Sequence, residues 1–273
     1  MRILYATDGS SQARAAGVLL AGLNLSPRDK ITVLTVDDRR GEVAADIIFR
    51  AALEDLSGTL ARIDTQTREG YPDEEILNAC KEWSADLLTV GAKGASGLVR
   101  FLLGGVTARV LRHAPCSVLI VRPEKTSIRR VILALDDSNS ARAAAAALTA
   151  FPFPAGTEVQ LVSVLPFLYR QEPQRQPVYM PSGEDEFNVI QDSATLIDRL
   201  LGSGFRASMH LLRGDPAAAL LDHCEEQDAD LIVMGSHGSS PAERFHRFLL
   251  GSVSEKLARY APCCALVIKQ PGE

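Results

Sequence analysis

The segment Arg100–Val121 reads RFLLGGVTARVLRHAPCSVLIV, and the segment Arg247–Ile268 reads RFLLGSVSEKLARYAPCCALVI. Eleven of the 22 aligned positions are identical, whereas ordinary amino-acid usage gives about one or two matches over such a length. Self-similarity at a long, fixed spacing is the mark of an internal repeat. The chain therefore contains two copies of one unit.

Other segments of the two copies align in the same order. Ile3–Ser10 (ILYATDGS) faces Val131–Ser138 (VILALDDS), and Ala85–Gly91 (ADLLTVG) faces Ala229–Gly235 (ADLIVMG). The polar stretch Glu124–Ser127 joins them. Because 273 residues suit two domains of about 100–150 residues each, we place the domains at residues 1–124 and 125–273.

Short β-branched runs alternate with longer helical segments in both copies. Strands that are apolar at nearly every position, separated by helices, indicate a parallel sheet covered on both faces. The predicted fold is α/β, with two tandem doubly wound five-stranded parallel-sheet domains of the Rossmann type. The predicted strands are Arg2–Thr7, Lys30–Val36, Ala61–Thr67, Leu87–Val90 and Ser117–Val121, then Val131–Leu135, Glu158–Val164, Arg206–Leu211, Leu231–Met234 and Ala265–Ile268. The predicted helices of the first copy are Ser11–Leu23, Val43–Leu60, Asp73–Glu82 and Val106–His113.

Composition excludes several classes of protein. The formal net charge is -5 with no long basic run, which argues against nucleic acid as the main partner. The longest apolar stretch, Ala15–Leu23, is far below the roughly 20 residues of a membrane helix, and the first residues do not resemble a signal peptide. The five cysteines form no C-x-x-C pair, so we expect buried, reduced thiols in the cytoplasm and no metal site.

Polar and glycine residues follow two of the predicted strands. The first strand ends at Asp8, and the fourth ends at Gly91-Ala92-Lys93-Gly94 before the chain reaches Gly104-Gly105 and a helix. In an open doubly wound sheet, ligands bind beyond the carboxyl ends of the strands where the strand order reverses. Glycine amides and a helix N-terminus suit a phosphate. A carboxylate such as Asp8 suits a ribose hydroxyl, an adenine amino group or a bridging metal.

Each of these residues also has a purely structural interpretation. Gly91 and Gly94 allow a tight turn after the strand, and Asp8 and Asp136 can accept hydrogen bonds from their own backbone. Ser252 with Glu255 three residues later is typical of a helix capping box. His237 is the one histidine of five that lies in a glycine loop, so it alone is a candidate for ligand contact.

The chain resembles the universal stress protein family in its tandem form. Gly91-x2-Gly94-x9-Gly104 has the spacing of the family's nucleotide motif, Gly-x2-Gly-x9-Gly-Ser/Thr, and an Asp ends the first strand. The resemblance implies an adenine nucleotide alpha hydrolase-like fold, binding of ATP, AMP or ADP, possible Mg²⁺ with ATP, little or no turnover and a role in stress survival. It also implies domain pairing through the last strands, with a homodimer as a further possibility. The nucleotide-binding residues implied in the first copy are Ala6, Thr7, Asp8, Val36, Gly91, Lys93, Gly94, Gly104, Gly105, Val106 and Thr107. The candidates in the second copy are Asp136, Val164, Gly235, His237, Gly238, Gly251, Ser252, Val253 and Ser254.

The two copies depart from the family pattern in different ways. The first has Gly105 where a hydroxyl residue is usual, so a phosphate contact falls to backbone amides or to Thr107. The second places 12 residues instead of nine between Gly238 and Gly251, and Asp137 adds negative charge after Asp136. We therefore expect the first copy to bind nucleotide better than the second.

Two other functions remain open from the sequence. One is a slow ATPase or autophosphorylating enzyme, for which no general base is identifiable. The other is an interaction module whose nucleotide sites have decayed. The long segment Pro166–Asp185 is interpreted as a tolerated surface insertion, with a lid or a partner-binding element as the alternatives.

Overall fold

A computed structural model of the chain describes residues 1–37, 45–93, 103–136, 138–165, 194–237 and 250–270. The first copy contains β1 (Arg2–Ala6), α1 (Ser11–Ala21), β2 (Lys30–Asp37), α2 (Ala45–Asp55), β3 (Arg62–Glu69), α3 (Pro72–Glu82), β4 (Leu87–Gly91), α4 (Gly105–His113) and β5 (Ser117–Val121). The second contains β6 (Arg130–Leu135), α5 (Asn139–Ala150), β7 (Glu158–Leu165), α6 (194–202), β8 (Arg206–Arg213), α7 (Pro216–Glu226), β9 (Leu231–Gly235), α8 (Ser252–Tyr260) and β10 (Cys264–Ile268).

All ten strands form one sheet in the order β3-β2-β1-β4-β5-β10-β9-β6-β7-β8. The strands of each copy pair in parallel. The copies meet where β5 and β10 pair antiparallel, with Leu119 opposite Leu266. The predicted α/β fold with parallel, doubly wound strands is confirmed, and the ten strands lie within two residues of their predicted bounds.

The helices cover both faces of the sheet. Alternate residues of one strand face opposite sides, so Ile3 and Tyr5 belong to one apolar cluster while Leu4 and Ala6 belong to the other. The first cluster includes residues of α1, α2, α5 and α6, and the second includes residues of α3, α4, α7 and α8. Each cluster contains residues of both copies, so both cores run across the β5–β10 junction.

Cations cross that junction and cap helices of the opposite copy. Arg122, directly after β5, is buried and donates to the carbonyl oxygens of Ala258, Arg259 and Cys263 at 3.2, 3.0 and 3.1 Å. Lys269, directly after β10, donates to the Ala114 carbonyl at 2.8 Å, just past α4. The last carbonyls of a helix have no intrahelical partner, so these cations satisfy them.

Two predicted helices end earlier in the structure than the sequence indicates. Helix α1 ends at Ala21 instead of Leu23, because Gly22 forms its C-cap. Helix α2 ends at Asp55 instead of Leu60, since Gly58 has φ +96°, which a helix cannot contain. The segment 166–185 and residues Gly94, Asp137 and Gly238 lie outside the described residues. In the part of the chain that the structure describes, no helix is both long and apolar enough to cross a bilayer.

Candidate functional site

The carboxyl ends of β1 and β4 lie side by side, and they mark the point in the first copy where the strand order reverses. Strand β1 pairs with β2 on one side and with β4 on the other, with Ala6 opposite Leu34 and Val90. The chain then leaves β1 through Thr7 and Asp8. Since β2 is parallel to β1, Val36 near the end of β2 lies at the same edge of the sheet, where it is half-buried. The structure thus brings the predicted residues of this edge together.

Asp8 forms a turn with its own backbone. Its Oδ1 accepts a hydrogen bond from the Ser10 amide at 3.0 Å, and Thr7 Oγ1 accepts one from the Gly9 amide at 3.2 Å. Ser10 then caps α1 by accepting from the Ala13 amide. The structural interpretation of Asp8 is therefore correct for one carboxylate oxygen, and the residue remains exposed at the edge.

Gly91 is required for packing. A Cβ at this position would lie 2.8 Å from the Gln12 carbonyl oxygen, a distance that real Cβ atoms do not adopt. Thr107 in α4 donates its hydroxyl proton to the Gly91 carbonyl at 2.9 Å. That proton is therefore not available to a phosphate, and Thr107 instead holds α4 against the end of β4.

The N-terminus of α4 is held at this edge and lacks a side-chain cap. The Gly104 amide donates to the Ala92 carbonyl at 2.9 Å, and Gly104 itself is the N-cap residue, which has no side chain to accept from the first turn. The first turn contains no acidic residue. Gly105 and Val106 are exposed, and a Cβ on Gly105 would meet no atom within 4 Å. First-turn amides and the helix dipole together favour an anion here.

Lys93 is a cationic residue just past the end of β4. It follows Ala92, whose carbonyl holds Gly104, and only 7% of its surface is exposed. Burial removes water from the lysine ammonium, which costs free energy unless another group neutralises the charge or accepts its hydrogen bonds.

The second copy repeats the turn and the packing. Asp136 Oδ1 accepts from the Ser138 amide at 3.0 Å, and Ser254 donates to the Gly235 carbonyl at 2.8 Å, as Thr107 does to Gly91. A Cβ on Gly235 would lie 2.2 Å from Ser140 Oγ. The same close approach of helix and strand end therefore requires a glycine in each copy.

A cluster of hydroxyl groups occupies the strand ends of the second copy. Ser140 Oγ accepts from the His237 amide at 3.1 Å and lies 3.4 Å from Ser236 Oγ. Ser236 Oγ in turn lies 3.0 Å from His237 Nδ1, and Ser138 donates to the His237 carbonyl at 3.3 Å. Sequence reasoning missed this cluster. The replacement of Gln12 and Ala92 by Ser140 and Ser236 is the signal that would have found it.

The interpretation of Ser252 as the residue that caps a helix is wrong. Gly251 is the N-cap of α8, so Ser252 occupies the first helical position and cannot form the capping box. Glu255 instead pairs with Arg112 from the first copy and with Arg259. The hydrogen bond from Arg112 lowers the pKa of Glu255, so a negative charge lies in the first turn of α8. Gly251 is buried, Val253 is half-buried, and Val164 is half-buried near the end of β7.

The model of the universal stress protein family matches residues 1–122 and again residues 127–269. The chain belongs to the universal stress protein family. The two matches cover nearly all of the chain, as expected of a tandem member.

The chain is also similar in part to a curated relative and to solved structures. A universal stress protein of Methanocaldococcus jannaschii is 42% identical over 64 residues, which cover 23% of this chain and only 38% of that relative. The crystal structure of a universal stress protein from Archaeoglobus fulgidus has a TM-score of 0.66 and 22% identity, and the match covers 98% of both chains. A universal stress protein solved in complex with cAMP is 27% identical and matches 45% of this chain and 97% of its own, with a TM-score of 0.39.

Proposed function

We propose that this universal stress protein binds an adenine nucleotide, mainly in its first copy, and that binding regulates a function in stress survival. The observation that carries the proposal is the N-terminus of α4. It begins at the point where the strand order reverses, its first turn has no side-chain cap and no acid, and space is open in front of Gly105. This arrangement suits the phosphates of ATP, ADP or AMP.

Eight of the predicted residues of the first copy have a place in this proposal. The amides of Gly105, Val106 and Thr107 would donate to phosphate oxygens, and Lys93 would supply the countercharge. The exposed Asp8 carboxylate would accept a hydrogen bond from a ribose hydroxyl or an adenine amino group. Ala6, Thr7 and Val36 would line the adenosine between the ends of β1 and β2.

Charge favours the first copy over the second. Helix α4 has no acid in its first turn, whereas α8 has Glu255 there. His237 occupies the place of Lys93, and the amide of His237 is already bonded to Ser140. A phosphate in the second copy would therefore meet less positive charge and a backbone that is already hydrogen-bonded.

Magnesium is proposed only as a companion of ATP. Within the described ranges, no three His, Cys, Asp or Glu side chains are grouped as a metal would require. The protein would then contribute at most the Asp8 carboxylate to such an ion, and the phosphates would supply the other oxygens.

Gly105→Asp tests the site. The new side chain enters open space, and an acid in the first turn stabilises a helix by about 0.3–1 kcal/mol, so folding should be unharmed. Its charge would repel a phosphate at ~4 Å by about 1–4 kcal/mol, which weakens ATP binding about fivefold or more. Isothermal titration measures the affinity, and Ser252→Asp at the equivalent exposed position of α8 is the matched control. An unchanged affinity in Gly105→Asp would contradict the proposed phosphate position.

Asp8→Ala and Asp136→Ala test the preference for the first copy. Both variants lose the same hydrogen bond, which the carboxylate accepts from the amide two residues later, so their effects on folding should match. Native mass spectrometry with ATP should show that Asp8→Ala removes most bound nucleotide and that Asp136→Ala removes little. Equal losses would refute the preference.

A further inference from the structure

Four of the five cysteines form two equivalent pairs. Cys80 lies in α3 and Cys116 directly before β5, while Cys224 lies at the matching place in α7 and Cys263 one residue before β10. All four thiols are reduced and buried in the same apolar cluster. The duplication has thus preserved a pair of thiols in each copy.

Backbone hydrogen bonds bring the members of each pair together. The Cys80 carbonyl accepts from the Ala85 amide at 2.9 Å, just before β4, and β4 pairs with β5, which begins next to Cys116. The Cys224 carbonyl accepts from the Ala229 amide at the same distance of 2.9 Å, just before β9. These bonds and the pairing of the strands place the members of each pair close together within one apolar cluster.

A cation from the opposite copy lies near each pair. Lys269 Nζ donates to the Ala114 carbonyl at 2.8 Å, two residues from Cys116, and Arg122 Nε donates to the Cys263 carbonyl at 3.1 Å. The hydrogen bond from Cys80 lowers the pKa of Cys116, and the Lys269 charge acts in the same direction. In the first pair a cation and a donor thiol both favour the Cys116 thiolate, which is the reactive form. In the second pair the contact with Cys224 and burial raise the pKa of Cys263.

We propose that each pair is a redox modification site, at which a hydroperoxide converts Cys80 and Cys116, and more slowly Cys224 and Cys263, into a disulfide. One thiolate attacks the peroxide oxygen, the O–O bond breaks, and a sulfenic acid and water (or an alcohol) result. The partner thiol attacks that sulfur, the S–O bond breaks, and a second water leaves with the thiol proton. The two thiols lose two electrons, and the peroxide gains them.

The first copy reacts before the second because its pair is closer to solvent. Cys116 is 6% exposed, whereas Cys263 is fully buried. Cys264 provides an internal control. Its sulfur accepts a hydrogen bond from the Arg122 amide and donates one to the Lys125 carbonyl. Its hydrogen bonds are therefore with backbone groups.

Peptide mapping of the folded full-length protein tests the proposal. The protein is treated with graded hydrogen peroxide, its free thiols are alkylated under denaturing conditions, and it is digested without reductant. A peptide that links Cys80 to Cys116 should appear first and a Cys224–Cys263 peptide at higher peroxide, while Cys264 stays alkylated. Cys116→Ser should abolish the first linked peptide and retain the second.

Three outcomes would overturn the proposal. The first is that all four thiols stay alkylated at peroxide levels that fully oxidise a cysteine peptide added as an internal standard. The second is sulfinic acid at Cys116 with Cys80 still alkylated, because the partner thiol would then have taken no part. The third is linkage of Cys80 to any cysteine other than Cys116. The wild-type map gives these answers even if Cys116→Ser does not fold.

Discussion

The hydroxyl of Thr89 lies at the centre of β4, between Tyr5 and Leu119 of the neighbouring strands. The residue is completely buried, and Oγ1 has no hydrogen-bond partner within the described part of the chain. The second copy has Val233 at the aligned position. A buried hydroxyl without a partner costs about 1–3 kcal/mol, and a side chain of the same shape without the hydroxyl avoids that cost.

Thr89→Val should therefore stabilise the protein by about 1 kcal/mol. The midpoint of urea unfolding, followed by circular dichroism, measures the change. Val233→Thr is the reciprocal control and should lower the midpoint by a similar amount. A lower midpoint for Thr89→Val would mean that the hydroxyl has a partner in solution.

Gly105→Ser is the second prediction that belongs to one residue. It restores the hydroxyl that the family motif has after Gly104, and the structure leaves room for it. One added hydrogen bond to a phosphate is worth about 0.5–1.5 kcal/mol, which is about a 2- to 12-fold gain in ATP affinity. Gly105→Ala separates the effect of the hydroxyl from that of helix propensity, and equal affinities in the two variants would exclude a hydroxyl contact.

At the scale of elements, the sequence predicts the bounds of the strands well and the ends of the helices less well. Ser117–Val121 has its predicted bounds because its last four residues are apolar and Pro115 precedes it. Strand β3 runs on to Glu69, past its predicted end at Thr67, because an edge strand accepts polar residues. No local pattern could show that Gly251, and not Ser252, caps α8. That depends on how the preceding loop meets the helix.

Helix α7 contains a histidine whose charge should control the stability of the second copy. His223 is 5% exposed, its Nε2 lies 2.9 Å from Gln160 Oε1, and its ring packs 5.2 Å from that of His210 on β8. Burial lowers the pKa of His223 below its usual value of 6.5, and repulsion from His210 adds to this, while Glu226 opposes it. The folded state therefore favours the neutral ring.

His223→Gln should make unfolding less sensitive to acid. Because the folded pKa is lowered, the unfolded chain binds more protons below about pH 6.5, so stability falls as the pH drops through and below that value. Gln retains a donor for Gln160 but cannot take up a proton. Urea midpoints between about pH 8 and 5 should fall less in the variant than in the wild type. Parallel pH profiles would show that His223 does not contribute.

At the scale of the whole molecule, the two copies share both apolar cores and exchange helix caps. The sequence predicts the duplication and the pairing of last strands, but not that Arg122 and Lys269 reach across the junction. Those contacts exist only once the copies are assembled. We expect both copies to unfold together, since neither core ends at the copy boundary.

Arg122→Met should weaken the whole molecule. The side chain keeps its length but loses every donor, which leaves the carbonyls of Ala258, Arg259 and Cys263 without their guanidinium. A loss of about 2–5 kcal/mol is expected, because each buried unsatisfied carbonyl costs ~1–3 kcal/mol and some relaxation follows. The unfolding midpoint should fall for both copies together, whereas Arg28→Met at an exposed position should leave it unchanged. A fall confined to the second copy would show that the copies unfold separately.

The antiparallel pairing of β5 and β10 sets the directions in which the strands of the two copies run. Because these directions are opposite, the carboxyl ends of the first copy's strands lie at one edge of the sheet. The carboxyl ends of the second copy's strands lie at the opposite edge. A nucleotide bound at one edge would therefore not contact the other. A partner protein bound over one edge would likewise not contact the other. The proposed nucleotide site and the equivalent edge of the second copy therefore face opposite sides of the molecule.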